Sequence, residues 1–97
     1  MSQRTIFSGF EPSKSIKEAA LAEVEQILDL APMDSDCFLS INSKPERDRF
    51  EALVMLNTLW GKIKFTVEDN NLQHLLKKVL DQAHERIFES RKHLALE

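Results

Sequence analysis

Glycine and proline are scarce, with two and three among 97 residues. So few breakers argue against a disordered or low-complexity chain. Two isolated glycines also leave no glycine-rich phosphate loop. Cysteine occurs once, as Cys37, which excludes an internal disulfide and fits a reducing compartment. No apolar run approaches the ~20 residues that cross a bilayer, and residues 1–10 lack the apolar stretch of a signal peptide. A cytoplasmic protein with no membrane partner is therefore expected. The formal net charge is −3, so nothing global draws the chain to nucleic acid, and any such binding needs a local patch.

Chemistry-bearing clusters are absent too. His74, His84 and His93 stand ten and nine apart, whereas ligands on one helical face need a spacing of three or four. Asp34 and Asp36 are too few for a calcium loop. No nucleophile and base stand in a recognisable arrangement, so neither an enzyme nor a cofactor is expected. What remains is 42% apolar and 30% charged, ordinary for a globular protein. The length suits one domain over 1–97, ordered over about 4–92.

The clearest pattern lies at residues 50–67. Ile63, Phe65 and Val67 alternate with Lys62, Lys64, Thr66 and Glu68, which marks a strand with one buried face. Ala52, Val54 and Leu56 repeat the period just before. Leu59-Trp60-Gly61 sits between, and Gly61 accepts the positive φ of a tight reversal, so the stretch reads as a β-hairpin.

Residues 5–9 are β-branched and aromatic and end at Gly9, a first strand. A helix capped by Ser13 or Ser15 follows to about Ala31, its stripe being Ile16, Ala20, Val24, Ile27 and Leu28, with Pro32 as the stop. Cys37, Leu39 and Ile41 define a second strand, with Cys37 a small core residue. Residues 43–49 read as a charged loop. Asn70 with Gln73 has capping spacing for a last helix to about Lys92, striped by Leu72, Leu76, Val79, Ala83 and Ile87. The expectation is an α+β fold: a two-layer β-α-β-β-β-α sandwich, with a four-stranded mixed sheet and two helices on one face. The other face then stays open. Parity assigns it Phe7, Phe38, Leu53, Met55, Lys62 and Lys64, an apolar cluster that suggests a partner.

The strand ending at Gly9, the helix opening Ser13-Lys14-Ser15-Ile16-Lys17-Glu18, the hairpin 56–65 and the last helix from Asp69-Asn70-Asn71-Leu72 come in a familiar order. In them the chain resembles the small ribosome-hibernation proteins, the family of hibernation-promoting factors and ribosome-associated inhibitors. The resemblance spans about Thr5 to Lys92. It implies a domain shaped like double-stranded-RNA-binding domains. It also implies occupation of the small ribosomal subunit at the channel for messenger and transfer RNA, through basic side chains on the helices. Lys17 stands at a basic position of the family's first helix. Gln82, Glu85 and Phe88 stand where the last helix of the family is typically basic.

Three basic groups result: Lys44, Arg47 and Arg49; Lys62 and Lys64; and Lys77, Lys78, Arg86, Arg91 and Lys92. The expected RNA-phosphate contacts are Lys14, Lys17, Lys77, Lys78 and Arg86, set against ordinary solvated charge such as a Lys77–Asp81 helix pair. The leading expectation is a hibernation-type protein that binds the small ribosomal subunit and its RNA and blocks translation sterically. The rival is a protein-interaction module of the same fold, without the RNA site, that forms a homodimer through the open sheet face. Phe7, Phe38 and Met55 suit base stacking or such a seam, and the lack of an aromatic–basic RNA motif favours the seam.

Overall fold

The computed structural model describes residues 2–31 and 33–95, and side chains for 4–31 and 33–90. Pro32 and the side chains of Arg91, Lys92 and His93 lie outside the described residues. The order is β1 (Ser2–Ser8), α1 (Lys14–Leu30), β2 (Asp36–Lys44), a short 3-10 turn (Pro45–Arg47), β3 (Arg49–Thr58), β4 (Gly61–Asp69) and α2 (Leu72–Ala95). The strands lie side by side in chain order. β1 and β2 are parallel, and β2–β3 and β3–β4 are antiparallel. This is the expected mixed sheet, with α1 as the crossover between its parallel strands.

Three rows of side chains cross the sheet and build the core. Leu39 pairs with Val54, which pairs with Phe65; Cys37, Leu56 and Ile63 form a second row, and Ile41, Ala52 and Val67 a third. The helices bring Val24 and Ile27 from α1, and Leu75 and Val79 from α2, to the same cluster. Both helices therefore cover one face, and no described element covers the other. Each fully buried aliphatic side chain in these rows contributes about 1.5–3 kcal/mol. Burial also pushes the Cys37 thiol up from 9.0 to about 11.

The hairpin turn is Leu59-Trp60, because Thr58 pairs with Gly61. Thr58 clips it, with its Oγ1 donating to the Gly61 carbonyl at 2.8 Å and accepting from the Trp60 N–H at 3.0 Å. Gly61 takes φ +125°, as its place after the turn requires. Residues 43–49 are less of a loop than their charge suggests. Ser43 and Lys44 still pair with Phe50 and Arg49, and Asp48 reverses the chain at φ 52°, a conformation that aspartate tolerates.

Of the two serines before α1, Ser13 is the cap: its Oγ accepts from the Ile16 N–H at 3.2 Å. The α2 cap is Asn71, not Asn70. Asn71 Oδ1 accepts from the His74 N–H at 3.0 Å, and Asp69 Oδ1 accepts from the Asn71 N–H at 2.9 Å. Lys78 closes this junction, with its Nζ 3.0 Å from Asp69 Oδ2 and donating to the Glu68 carbonyl at 3.0 Å. The hydrogen bonds from Lys78 and from the Asn71 N–H hold the Asp69 carboxyl below its ordinary value of 3.8.

Phe7 corrects one expectation. It pairs with Ile41, a core residue, so it faces the helices and not the open side. Its ring meets Phe10 edge-on at 5.9 Å, and Phe10 meets Phe50 at 5.0 Å. The open side of β1 carries Arg4, Ile6 and Ser8 instead, in register with Phe38, Ser40 and Asn42.

Three outcomes follow for stability and reactivity. In urea denaturation, Leu39→Ala costs about 2–5 kcal/mol, while its neighbour Ser40→Ala, on the open face, stays within about 0.5 kcal/mol. Asp69 has a folded pKa below its unfolded value, so its contribution is present above about pH 4 and fades as pH falls further. Asp69→Asn flattens that acid limb of the stability–pH curve; an unchanged limb refutes the junction's role. Cys37 resists a thiol reagent at pH 8 in native protein and reacts once the chain is unfolded in urea.

Candidate nucleic-acid interface and open sheet face

The helix layer carries the five cations expected to contact phosphate. Lys14 and Lys17 sit in the opening turns of α1; Lys77, Lys78 and Arg86 sit on α2, and all five are exposed. They do not form one patch. Lys77 and Arg86 are nine residues apart, which at 3.6 residues per turn puts them on opposite sides of α2. Lys77 shares its side with Leu80, Asp81 and His84. Lys78 is committed to Asp69 and the Glu68 carbonyl, so it adds positive field beside β4 rather than a freely swinging ammonium.

Between the helices the surface is acidic. A groove of about 400 Å³ is lined by Gln26, Asp29 and Leu30 of α1 and by Leu80, Asp81 and His84 of α2. Burial, and secondarily the Asp81 charge across the groove, raises the Glu23 carboxyl above its ordinary value. One Glu23 oxygen is buried without a hydrogen-bond partner. Gln82 is half-buried, whereas Glu85 and Phe88 are exposed, Phe88 at 59%. A phosphate backbone laid along the middle of this layer would meet carboxylates, whereas Lys14, Lys17 and Lys77 lie in the first two turns of their helices.

The sheet's other face is ordered by register. Asp36, Asn57 and Lys62 form one row; Arg4, Phe38, Met55 and Lys64 the next; then Ile6, Ser40, Leu53 and Thr66; then Ser8, Asn42, Glu51 and Glu68. Phe38, Leu53, Met55, Lys62 and Lys64 are thus brought together, without Phe7. Arg47 reaches Glu68 at 2.7 Å. Sequence reading missed Arg4, Ile6 and Glu51 here. Only the pairing of β1 with β2, which a crossover helix leaves unspecified, reveals the first two. Glu51 was legible from the hairpin parity that gave Leu53 and Met55. Among the described residues, no three His, Cys, Asp or Glu side chains converge as a metal site, and no helix is long and apolar enough to cross a membrane.

No family model matches the chain, and no curated protein matches it in sequence. Solved structures do. The chain is similar to the N-terminal domain of Protein Y from Thermus thermophilus, with a TM-score of 0.73 and 11% identity over 87% of this chain and 91% of that one. It is similar also to a ribosomal subunit interface protein from Coxiella burnetii, with a TM-score of 0.79 and 8% identity over 95% of this chain and 99% of that one. At such identities the likeness concerns the fold and not the side chains. Over nearly its whole length, then, the chain has the fold of these two proteins, which is the fold implied by its resemblance to the small ribosome-hibernation proteins.

Proposed function

We propose that this protein is a ribosome-associated factor of the hibernation type, which binds the small ribosomal subunit and blocks translation by occupying space. The observation that carries the proposal is the overlay on a ribosomal subunit interface protein, which leaves almost nothing of either chain unmatched. A domain that works by occlusion needs shape, a few anchoring charges and no chemical step. Its site of action is where ribosomes are, the cytoplasm.

The anchors assigned are Lys14 and Lys17 at the α1 opening, and Lys77, Lys78 and Arg86 on α2. Phosphate contacts made by lysine and arginine fix position without reading sequence. Lys78 plays a double part, since the ammonium that would face RNA also closes the β4–α2 junction. The carboxylates of Glu23, Asp29 and Asp81 keep phosphate out of the interhelical groove, so contact is confined to the helix openings and the β4 flank. Affinity should be modest and sharply dependent on salt.

Pelleting with purified small subunits tests this. Five phosphate contacts make binding fall on the order of a hundredfold between about 50 and 200 mM salt. Removing Lys17 or Lys77 as alanine lowers the salt slope by about 0.7–0.9 each. No co-pelleting at the lower salt overturns the proposal. An unchanged slope in both variants overturns the assigned contacts.

A further inference from the structure

We propose that the uncovered sheet face is a homodimer surface, on which a second copy of this chain packs sheet against sheet about a two-fold axis that crosses the strands between the Met55 and Leu53 rows. The two middle rows supply the apolar centre. Ile6 and Met55 are 39% and 37% exposed, and Phe38 and Leu53 are half-buried beside them. Phe38 pairs with Met55, Leu53 is two residues along the same strand, and Ile6 lies diagonally beside Phe38 across from Ser40, a clustering that marks an interaction surface more than scattered surface apolars do.

Charge selects the occupant and the orientation. Lys62 and Lys64 stand towards the turn end of the face, and Glu51 and Glu68 towards the other end. A two-fold axis across the strands reverses strand direction and keeps each strand's place in the sheet. Each outer row then lies over the partner's opposite outer row. Lys62 comes over the partner's Glu68, with the partner's Glu51 one strand away. Glu68 already holds Arg47, whereas Lys62, Lys64 and Glu51 have no ion pair among the described residues. A two-fold along the strands instead sets Lys64 over the partner's Arg4, a like-charge contact. The face is therefore self-complementary in one closed arrangement, as an isologous interface requires.

Shape agrees with this arrangement. A hollow of about 160 Å³, bordered by Arg4, Asp36, Phe38, Met55 and Asn57, lies on the Lys62 half of the face. The same operation places Ile6, Ser40 and Leu53 of the second copy over the Arg4, Phe38 and Met55 side of it, and Asn42 and Glu51 of that copy over Asp36 and Asn57. Four strands about 4.8 Å apart and four rows about 6.7 Å apart project to roughly 500 Å². Side-chain relief brings that towards the roughly 800 Å² per partner of a standard interface. Glu51 and Glu68 disfavour a nucleic-acid backbone here. The helices lie on the opposite side, so the inference stands independently of the ribosomal reading.

Sedimentation equilibrium of the full chain from micromolar to millimolar concentration tests it. The expected result is a shift from one chain to two, weakened at least about tenfold by Met55→Asp. The double variants Lys62→Glu/Lys64→Glu and Glu51→Lys/Glu68→Lys are each expected to be monomeric, while their equimolar mixture forms a heterodimer. Circular dichroism and melting confirm that these outward-facing variants fold. A single-chain mass at millimolar concentration, a Met55→Asp variant that dimerises like the parent, or a mixture that stays monomeric overturns the proposal. So does a Met55→Asp variant that loses RNA binding but not self-association.

Discussion

The register of the β3–β4 hairpin is the constraint on which the rest of this molecule depends. Thr58 and Gly61 face each other across a two-residue turn, and that single alignment puts Leu56 beside Ile63, Val54 beside Phe65 and Ala52 beside Val67. A slip of one residue would turn every one of them to solvent. Because β2 pairs on β3 in the same phase, Cys37, Leu39 and Ile41 extend the apolar surface to a width that two helices can cover. The helices add no second core; they cap a surface whose position the hairpin has already decided. The Thr58 hydroxyl, which accepts from the Trp60 N–H and donates to the Gly61 carbonyl, stabilises a local geometry with consequences across the whole sheet.

That hierarchy explains which features were legible in the residues. The hairpin was readable because both halves have a period of two and the turn between them is short. The helices were readable from their stripes, and their order with the strands left few topologies to consider. Phe7 was misread because nothing local sets the register of β1. It reaches β2 through a 17-residue helix, and strand parity does not propagate through such a crossover. Its ring belongs to the cluster with Phe10 and Phe50, inside the sandwich. The α2 cap was misplaced by one residue because Asp69, Asn70 and Asn71 are all competent caps. Asp69 instead accepts from the backbone of Asn71, which leaves Asn71 to close the helix. The short 3-10 turn over residues 45–47 was hidden by charge: its left-handed residue is Asp48, not glycine.

The candidate phosphate contacts were legible as residue types but not as a surface. Their dispersal follows from helix phase and from pairing. Lys77 and Arg86 diverge by half a turn, and Lys78 is drawn to the end of β4 by Asp69, a partner nine positions earlier in the chain. The net charge of −3 likewise concealed a separation. A share of the acid is gathered between the helices, where partial burial, and secondarily the Asp81 charge, raises the Glu23 carboxyl. Sequence composition averages over such a separation; only the packing of α1 on α2 displays it.

The two faces of the sandwich therefore place different demands on a partner. On the helix side, cations flank a furrow of carboxylates, a pattern that would hold any polyanion to the margins. On the sheet side, lysines and glutamates occupy opposite ends of an apolar strip, a pattern that favours a second copy of itself over a uniformly charged ligand. These demands do not compete, because the core rows that bind the helices and the open rows between them alternate along the same strands. Each strand residue serves one face or the other, so a change at Met55 leaves its neighbours Val54 and Leu56 in place. Alternation along the strands lets a domain this small keep one folding core while the open sheet face stays separate from it.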